Sequence, residues 1–308
     1  MPDIVIAFFA LGLIAGIVKS DLKVPVAIYE TLSILLMLTL GLKGGMALHG
    51  VALMPLLPEL SIIAMTGVII PLLLYPVLRH AVQLSQDNAT SVAAHYGSVS
   101  AGTFAVAIAM VEYSGLAITP QTTLYLVLLE LPAIVTMLVL HSKHSGTKSS
   151  LLVILQEALT SRGVLLLGGG MIIGWLYGHS GLSAITPVLL GGFKTLLALF
   201  LLEMGLCTAK VCSPLPFKQW RLMLFALIAP FVLASAGIAL SLLLSLPTGS
   251  ALVLTALMAS ASYIAAPAAI RSAIPNANIG LALLASLGIT FPLNVLIALP
   301  LYQQWIIG

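Results

Sequence analysis

Two stretches of small and hydroxyl-bearing residues lie inside otherwise apolar runs of this sequence. The first reads Gly97-Ser98-Val99-Ser100-Ala101-Gly102-Thr103 and is followed by Phe104. The second begins Ser260-Ala261-Ser262 and continues to Ala266 and Pro267. Hydroxyl groups donate hydrogen bonds to anions and offer oxygen ligands to hard cations. The two stretches are therefore candidates for binding a small ion.

Glycine, serine and proline in the middle of an apolar run are typical of an interrupted helix. Pro267 in particular lacks a backbone donor and is expected to free a carbonyl one turn earlier. The N-terminal end of a half-helix carries roughly half a positive charge and presents free N–H groups. Two such ends facing each other would hold a small anion without a buried lysine or arginine. The alternative is that the small residues only allow two helices to approach closely.

The elements that position these stretches are predicted to be membrane helices. Of the 308 residues, 60% are apolar and only 7% are charged, against about 25% charged in an ordinary soluble domain. A spanning helix needs roughly 20 residues, so the chain has room for about ten spans and no large soluble domain. The net charge of +3 is thinly spread, which excludes a nucleic-acid partner. We predict an all-α integral membrane protein with spans near 3–18, 26–48, 60–79, 89–111, 121–140, 162–179, 188–209, 220–245, 250–272 and 279–306.

The basic residues predict the orientation of these spans. All but Lys43 and Lys194 fall on one side of the ten-span arrangement, and by the positive-inside rule that side is cytoplasmic. We therefore expect a multi-pass protein of the bacterial inner membrane with both termini extracytoplasmic. The residues on the cytoplasmic side are Lys19, Lys23, Arg79, Lys143, Lys148, Arg162, Lys210, Lys218, Arg221 and Arg271.

Glu130 is the acidic residue with the strongest claim to a function. It lies in the middle of an apolar run, two residues before Pro132, and acidic residues inside a membrane are costly and usually functional. Since Na⁺ prefers oxygen ligands, we expect Glu130 to help hold a coupling cation, with Thr290 and Asn294 in the related region of the last run. A protonated or hydrogen-bonded structural carboxyl is the alternative. Glu203, late in its run, is expected to be structural.

Three pairs of segments repeat in the same order. Leu40-Gly41-Leu42 matches Met204-Gly205-Leu206 at an offset of 164, and Leu129–Pro132 matches Ile289–Pro292 at 160. The two hydroxyl-rich stretches form the third pair. Each half then has five spans, and an odd number inverts the second half, as in many secondary transporters. We predict a first repeat over 1–140, a cytoplasmic linker over 141–161 and a second, inverted repeat over 162–308, with helices 4 and 9 interrupted.

The same motifs resemble those of the cyanobacterial sodium-dependent bicarbonate transporter family. The similarity covers essentially all ten predicted spans, and its most specific motif lies around residues 260–275. The segments that carry it are Gly41–Gly45, Tyr96–Ser100 with Thr103 and Phe104, Ser260–Ala269, and Ala285–Asn294.

The resemblance implies a Na⁺-coupled symporter for bicarbonate, built as a homotrimer. It implies a mobile core domain and a gate domain in each protomer, with elevator-like movement and with spans 4 and 9 crossing in the core. It also implies a PII-like regulator on the cytoplasmic face, although the 141–161 linker is shorter than in typical cyanobacterial members. Residues matching the family's substrate-site motifs are Gly97, Ser98, Val99, Ser100, Thr103, Phe104, Ser260, Ala261, Ser262 and Ala266.

The sequence therefore predicts a secondary transporter that carries bicarbonate inward with Na⁺. One alternative keeps the fold and changes the cargo to a monocarboxylate or another small anion. A second is a passive channel or a membrane anion sensor. The sequence has no nucleotide-binding loop, nucleophile elbow or zinc-protease motif, so we expect neither an enzyme nor a cofactor besides the coupling ion.

Overall fold

The computed structural model describes residues 4–145, 156, 159–160, 162–213 and 217–308. All regular structure in these ranges is helical. Most of the predicted 141–161 linker lies outside the described residues. The main helices are α1 (Ile4–Ile17), α2 (Val26–Leu48), α3 (Leu57–His80), α4 (Gln86–Gly97), α5 (Ala101–Tyr113), α6 (Leu124–Ser145), α7 (Arg162–Gly181), α8 (Phe193–Val211), α9 (Trp220–Leu243), α10 (Thr248–Met258), α11 (Ala265–Ala273) and α12 (Ile279–Ile307).

The helices have the length and composition of membrane spans. Within the described ranges, eight helical segments are long and apolar enough to cross a bilayer, and α4 and α5 together form one of them. The two shorter apolar helices are α1, with 14 residues, and α10, with 11. Large apolar side chains on the outer faces of α1, α7 and α9 are exposed, as a lipid environment requires. The chain is an all-α, multi-pass membrane protein.

Four helices pack through glycine, and we call α1, α2, α7 and α8 the glycine-packed helices. A Cβ atom at Gly12 of α1 would overlap the carbonyl oxygen of Leu202 in α8. In the same way, a Cβ atom at Gly174 of α7 would overlap the carbonyl oxygen of Leu42 in α2. Without a side chain at these positions the backbones approach closely, which is how membrane helices gain packing contacts.

The remaining helices, α3 to α6 and α9 to α12, pack around the two hydroxyl-rich stretches. The glycine-packed helices lie against this group. Phe9 of α1 meets Phe291 of α12 edge to face, with ring centroids 5.5 Å apart. The Thr208 hydroxyl of α8 donates to the Leu287 carbonyl of α12 at 3.1 Å. Lys43 of α2 forms an ion pair with Glu112 near the end of α5.

Both hydroxyl-rich stretches interrupt their helices. The first helical segment ends at Gly97 and restarts at Ala101, and the second ends at Met258 and restarts at Ala265. Pro267 falls in the first turn of α11 rather than at the break itself. A missing N–H costs nothing in a first turn. The role expected of Pro267, freeing a carbonyl one turn earlier, is therefore wrong.

The last helix, α12, has two widened segments. Residues Leu284–Thr290 and Asn294–Ala298 are π-helical. Pro292 lies between these segments and cannot donate a backbone hydrogen bond. Segments of this kind often lie at functional sites.

Candidate functional site

The two helix breaks are hydrogen-bonded directly to each other. The Ser100 N–H donates to the Ser260 hydroxyl at 2.9 Å, and the Ser262 N–H donates to the His95 carbonyl at 2.7 Å. All four residues are buried. These two bonds hold the non-helical segments side by side in the middle of the molecule.

Three of the predicted ligand hydroxyls serve the backbone around the breaks. Ser100 caps α5 by accepting a hydrogen bond from the Thr103 N–H at 3.0 Å. Ser262 accepts from the Ala266 N–H of α11 at 3.1 Å. Ser260 donates to the Leu257 carbonyl at 2.7 Å while it accepts from Ser100. These hydroxyls fix the geometry of the breaks, since each has a structural partner.

Two other predicted hydroxyls are buried and have no such partner. Ser98 Oγ and Thr103 Oγ1 make no hydrogen bond within the described part of the chain. Both side chains are completely buried. A buried hydroxyl without a partner costs about 1–3 kcal/mol, so such groups are rare unless something binds them. Of the predicted site residues, these two have a hydroxyl available to a ligand.

Gly97 lies at the C-terminal end of α4, directly before the first break. A Cβ atom at Gly97 would lie 2.6 Å from the ring of Pro71, so glycine lets α4 pack against α3. The half-helix that begins at the first break is α5, and its first N–H groups belong to Ala101 and Gly102. The predicted residues that contribute buried packing are Val99, Phe104, Ala261 and Ala266.

Tyr263 belongs to the site although the sequence analysis did not select it. Its side chain is 7% exposed, and its hydroxyl makes no hydrogen bond of normal geometry among the described residues, although it lies near the Ser100 side chain. The hydroxyl lies against Gly102, where a Cβ atom would overlap it. Its ring meets Phe291 at 5.1 Å between centroids. Its position directly after Ser262 in the interrupted stretch could have indicated it. An aromatic residue in an apolar run is, however, usually assigned to helix packing.

A small pocket lies between the glycine-packed helices and the breaks. Ala101 and Gly102, at the start of α5, and Ile264, directly before α11, form one wall. The pocket has room for about one water molecule. A four-atom anion therefore requires the two walls to separate. The opposite wall consists of Ser33, Leu36, Met37 and Leu40 of α2 and Phe200 of α8.

Two of the predicted cation ligands lie beside the breaks. The Asn294 amide donates to the carbonyl of Ala259, at the end of α10, at 2.8 Å. The Thr290 hydroxyl donates to the Ala226 carbonyl at 2.8 Å and lies 2.6 Å from the Tyr96 hydroxyl. Both side chains are completely buried. Thr290 and Asn294 thus border the same region as the free hydroxyls.

Glu130 lies in a different place. Its side chain is 5% exposed and faces α7, where a Cβ atom at Gly163 would lie 3.4 Å from Glu130 Oε1. Within the described residues, the carboxyl has no hydrogen bond or ion pair with Thr290 or Asn294. The structure therefore brings two of the three predicted cation ligands together and leaves Glu130 at the contact between α6 and the glycine-packed helices.

Comparison with known families decides the identity of the chain. A family model described as the Na⁺-dependent bicarbonate transporter superfamily matches residues 4–307. The chain belongs to this superfamily. A search of curated proteins found no match.

Membership of the Na⁺-dependent bicarbonate transporter superfamily fits what the helices show independently. The chain has the multi-pass helical structure of a membrane transporter. The pair of helix breaks is a buried polar region, where hydroxyl groups without partners among the described residues lie next to the start of a helix. In a superfamily of anion transporters, such a region is the natural candidate for the site of the transported ion.

Proposed function

We propose that this protein carries bicarbonate into the cell together with Na⁺, and that the anion binds at the start of α5. The observation that carries the proposal is that three of the buried hydroxyls without partners in the described part of the chain, on Ser98, Thr103 and Tyr263, belong to the two interrupted stretches. Superfamily membership supports bicarbonate as the cargo. Coupling to Na⁺ and the route of the anion are parts of the proposal.

The electrostatics at the start of α5 favour a small anion. Its terminal N–H groups carry roughly half a positive charge, worth up to about 2 kcal/mol to an anion in a partly buried site. The hydroxyls of Ser98, Thr103 and Tyr263 would donate charge-assisted hydrogen bonds to it. Among the described residues lining the neighbouring pocket, none is an arginine or a lysine. An anion held by dipoles and hydroxyls alone binds reversibly, as transport requires.

A Na⁺ ion next to the anion would supply the missing positive charge. We assign its site to Thr290 and Asn294, whose buried side chains lie beside the two breaks. The π-helical turns of α12 support this assignment because such turns are frequent at functional sites. Two opposite charges close together cost less to move through an apolar barrier than either ion alone. Glu130, which faces α7, remains a candidate ligand in the proposal.

We further propose that the ten apolar segments form two inverted repeats, and the glycine contacts support this arrangement. Gly12 of α1 packs on Leu202 of α8, and Gly174 of α7 packs on Leu42 of α2. Gly174 follows Gly12 by 162 residues, and Leu202 follows Leu42 by 160 residues, so both contacts join corresponding positions of the two halves. The α1–α8 and α2–α7 contacts therefore exchange when the two halves are exchanged.

The contact between Ser100 and Ser260 supports the same symmetry. These residues differ by 160 in number, and they touch through a 2.9 Å hydrogen bond. A residue that meets its own counterpart lies next to a twofold axis. Inverted repeats place such an axis in the membrane plane, where transported ions bind.

We propose an elevator-type movement, and the division of the helices into these two groups supports it. The pocket is bounded by the glycine-packed helices on one side and by the breaks on the other. Sliding one group past the other would expose the start of α5 first to one side of the membrane and then to the other. We propose the homotrimer, the bacterial inner membrane, the extracytoplasmic termini and a cytoplasmic PII-like regulator on the basis of the resemblance and the charge distribution alone.

The test is uptake of radiolabelled bicarbonate into proteoliposomes at fixed pH, with and without an inward Na⁺ gradient. We expect uptake that requires the gradient and that Ser98→Ala reduces. Ser235→Ala is the matched control, because its exposed hydroxyl bonds only to the Phe231 carbonyl on the outer face of α9. Uptake that persists without Na⁺ would favour a channel. Strong competition by acetate or pyruvate would favour a monocarboxylate carrier.

A further inference from the structure

An apolar groove of about 550 Å³ runs between the second half of α3 and the first half of α9. Its outer walls are exposed side chains, among them Val77 of α3 and Leu224, Ile228 and Val232 of α9. Phe225 lies at its base. The groove is separate from the pocket at the helix breaks.

One end of the groove carries the features of a membrane–water interface. Trp220, Arg221 and Gln83 line this end. The Arg221 guanidinium lies over the Trp220 ring, 5.4 Å from its centroid. Arg221 is the single formally charged side chain among the described residues that line the groove, and no acidic partner for it lies in the described ranges. Tryptophan is enriched at the level of lipid headgroups, so this end lies near the headgroups.

We propose that the groove binds one acyl chain of an anionic phospholipid whose headgroup lies at Arg221. The groove follows α9 from Trp220 to Leu233, about 20 Å at 1.5 Å per residue. Half of a bilayer's hydrocarbon core is about 15 Å thick. A groove of this length and volume accommodates a single hydrocarbon chain.

The positive charge at the rim selects the headgroup. An arginine near the bilayer surface gains about five-fold in affinity for anionic over neutral lipid. The distribution of basic residues places this end of the groove in the cytoplasmic leaflet, where anionic lipids are attracted by such residues. The groove is linked to the proposed Na⁺ site through one residue, because Phe225 meets Tyr96 at 4.9 Å between ring centroids and Tyr96 bonds Thr290.

Quenching of Trp220 fluorescence by brominated lipids tests the proposal. The protein, with Trp175→Phe and Trp305→Phe, is reconstituted in phosphatidylcholine containing rising fractions of dibrominated phosphatidylglycerol or dibrominated phosphatidylcholine. We expect half-maximal quenching at about a five-fold lower fraction of the anionic lipid. Arg221→Gln should remove this difference. Lys218→Gln, which changes a charge on the preceding turn but not in the groove, should keep it.

A second single-tryptophan variant reports ordinary lipid contacts. It keeps Trp175, which is 42% exposed on α7, and should show no headgroup preference. If Arg221→Gln is not recovered folded, Ala81→Phe, which fills the groove from its exposed wall, should weaken quenching of Trp220 by both lipids. Equal quenching of Trp220 by the two lipids overturns the proposal. The proposal is also overturned if neither lipid quenches Trp220 while Trp175 is quenched, because protein then covers the groove.

Discussion

Replacing Tyr263 with phenylalanine removes one oxygen from the proposed anion site and leaves the ring in place. The Tyr263 hydroxyl is buried and makes no hydrogen bond of normal geometry among the described residues. Burying such a group costs about 1–3 kcal/mol. Tyr263→Phe should therefore keep or raise the free energy of unfolding, while the ring keeps its contact with Phe291.

The effect on transport should have the opposite sign. A hydrogen bond to a charged group contributes about 1.5–3 kcal/mol. At 1.4 kcal/mol for each factor of ten, its loss raises the bicarbonate concentration for half-maximal uptake roughly ten- to a hundred-fold. A variant that is at least as stable as the wild type but binds its substrate much more weakly is the signature of a ligand residue.

Two assays on the same preparations separate these effects. Initial uptake into proteoliposomes is measured against bicarbonate concentration at saturating Na⁺, and thermal unfolding is followed in detergent without bicarbonate. Tyr113→Phe is the matched control, because Tyr113 is 73% exposed and its ring lies under Lys194 with or without the hydroxyl. We expect the control to match the wild type in both assays.

Two results would refute this reasoning about Tyr263. An unchanged half-saturation concentration means that the hydroxyl does not contact the anion. A lower unfolding temperature for Tyr263→Phe means that the hydroxyl has a structural partner and that its position against Gly102 is not a site for a ligand.

Three further experiments test the helix packing, the breaks and the ion pair. Gly205→Ala places a methyl group against the backbone of α1 and should lower the free energy of unfolding, measured by thermal melts, by about 1–3 kcal/mol. The control Gly168→Ala places its methyl group in open space and should leave the free energy of unfolding unchanged, so equal effects of the two substitutions would contradict the packing argument. Ser260→Ala removes the acceptor for the Ser100 N–H, so hydrogen exchange of that amide should become faster. An unchanged exchange rate would show that this hydrogen bond does not hold the two breaks together. Lys43→Met and Glu112→Gln each break the ion pair between these side chains, which are 27% and 43% exposed, respectively. A double-mutant cycle on the free energy of unfolding should give a coupling energy of about 1 kcal/mol or less, and a much larger value would show a role beyond that of a surface ion pair.

The sequence predicts the positions of the helices well, because apolar runs bounded by polar residues are a strong signal in membrane proteins. The predicted run 26–48 coincides with α2, and the others lie within a few residues of described helices or helix pairs. The two breaks were predictable for a related reason. Clusters of glycine and serine weaken a helix that is otherwise apolar, and the chain leaves helical geometry within both stretches.

The role of each hydroxyl in the site could not be predicted in the same way. Ser98 and Ser100 are alike in sequence, yet Ser100 caps α5 and Ser98 has no partner among the described residues. The difference depends on where the second break lies, since Ser260 fixes the backbone of Ser100 across 160 residues. Tyr263 was missed for the same reason, because only the packed structure shows its hydroxyl lying against Gly102.

The register of the proposed repeats decides which residues correspond. Motif matching aligned Gly41 with Gly205 at an offset of 164, but the packed structure favours Gly45 as the counterpart of Gly205. The Cβ positions at Gly45 and Gly205 overlap the carbonyl oxygens of Met171 and Phe9, which are themselves 162 residues apart. An offset of 160 residues relates α2 to α8 and also relates the first break to the second.

In the proposed repeats, this single register makes Thr290 the counterpart of Glu130. One position carries a hydroxyl and the other a carboxyl group, and their surroundings differ as well. Thr290 bonds with Tyr96 beside the breaks, whereas Glu130 faces Gly163 of the glycine-packed helices. A fully symmetric fold would bind the same ion in both halves, so the proposed coupling of a cation to an anion needs such a difference. We therefore expect the carboxyl group of Glu130 and the hydroxyl of Thr290 to have different roles in the proposed coupling.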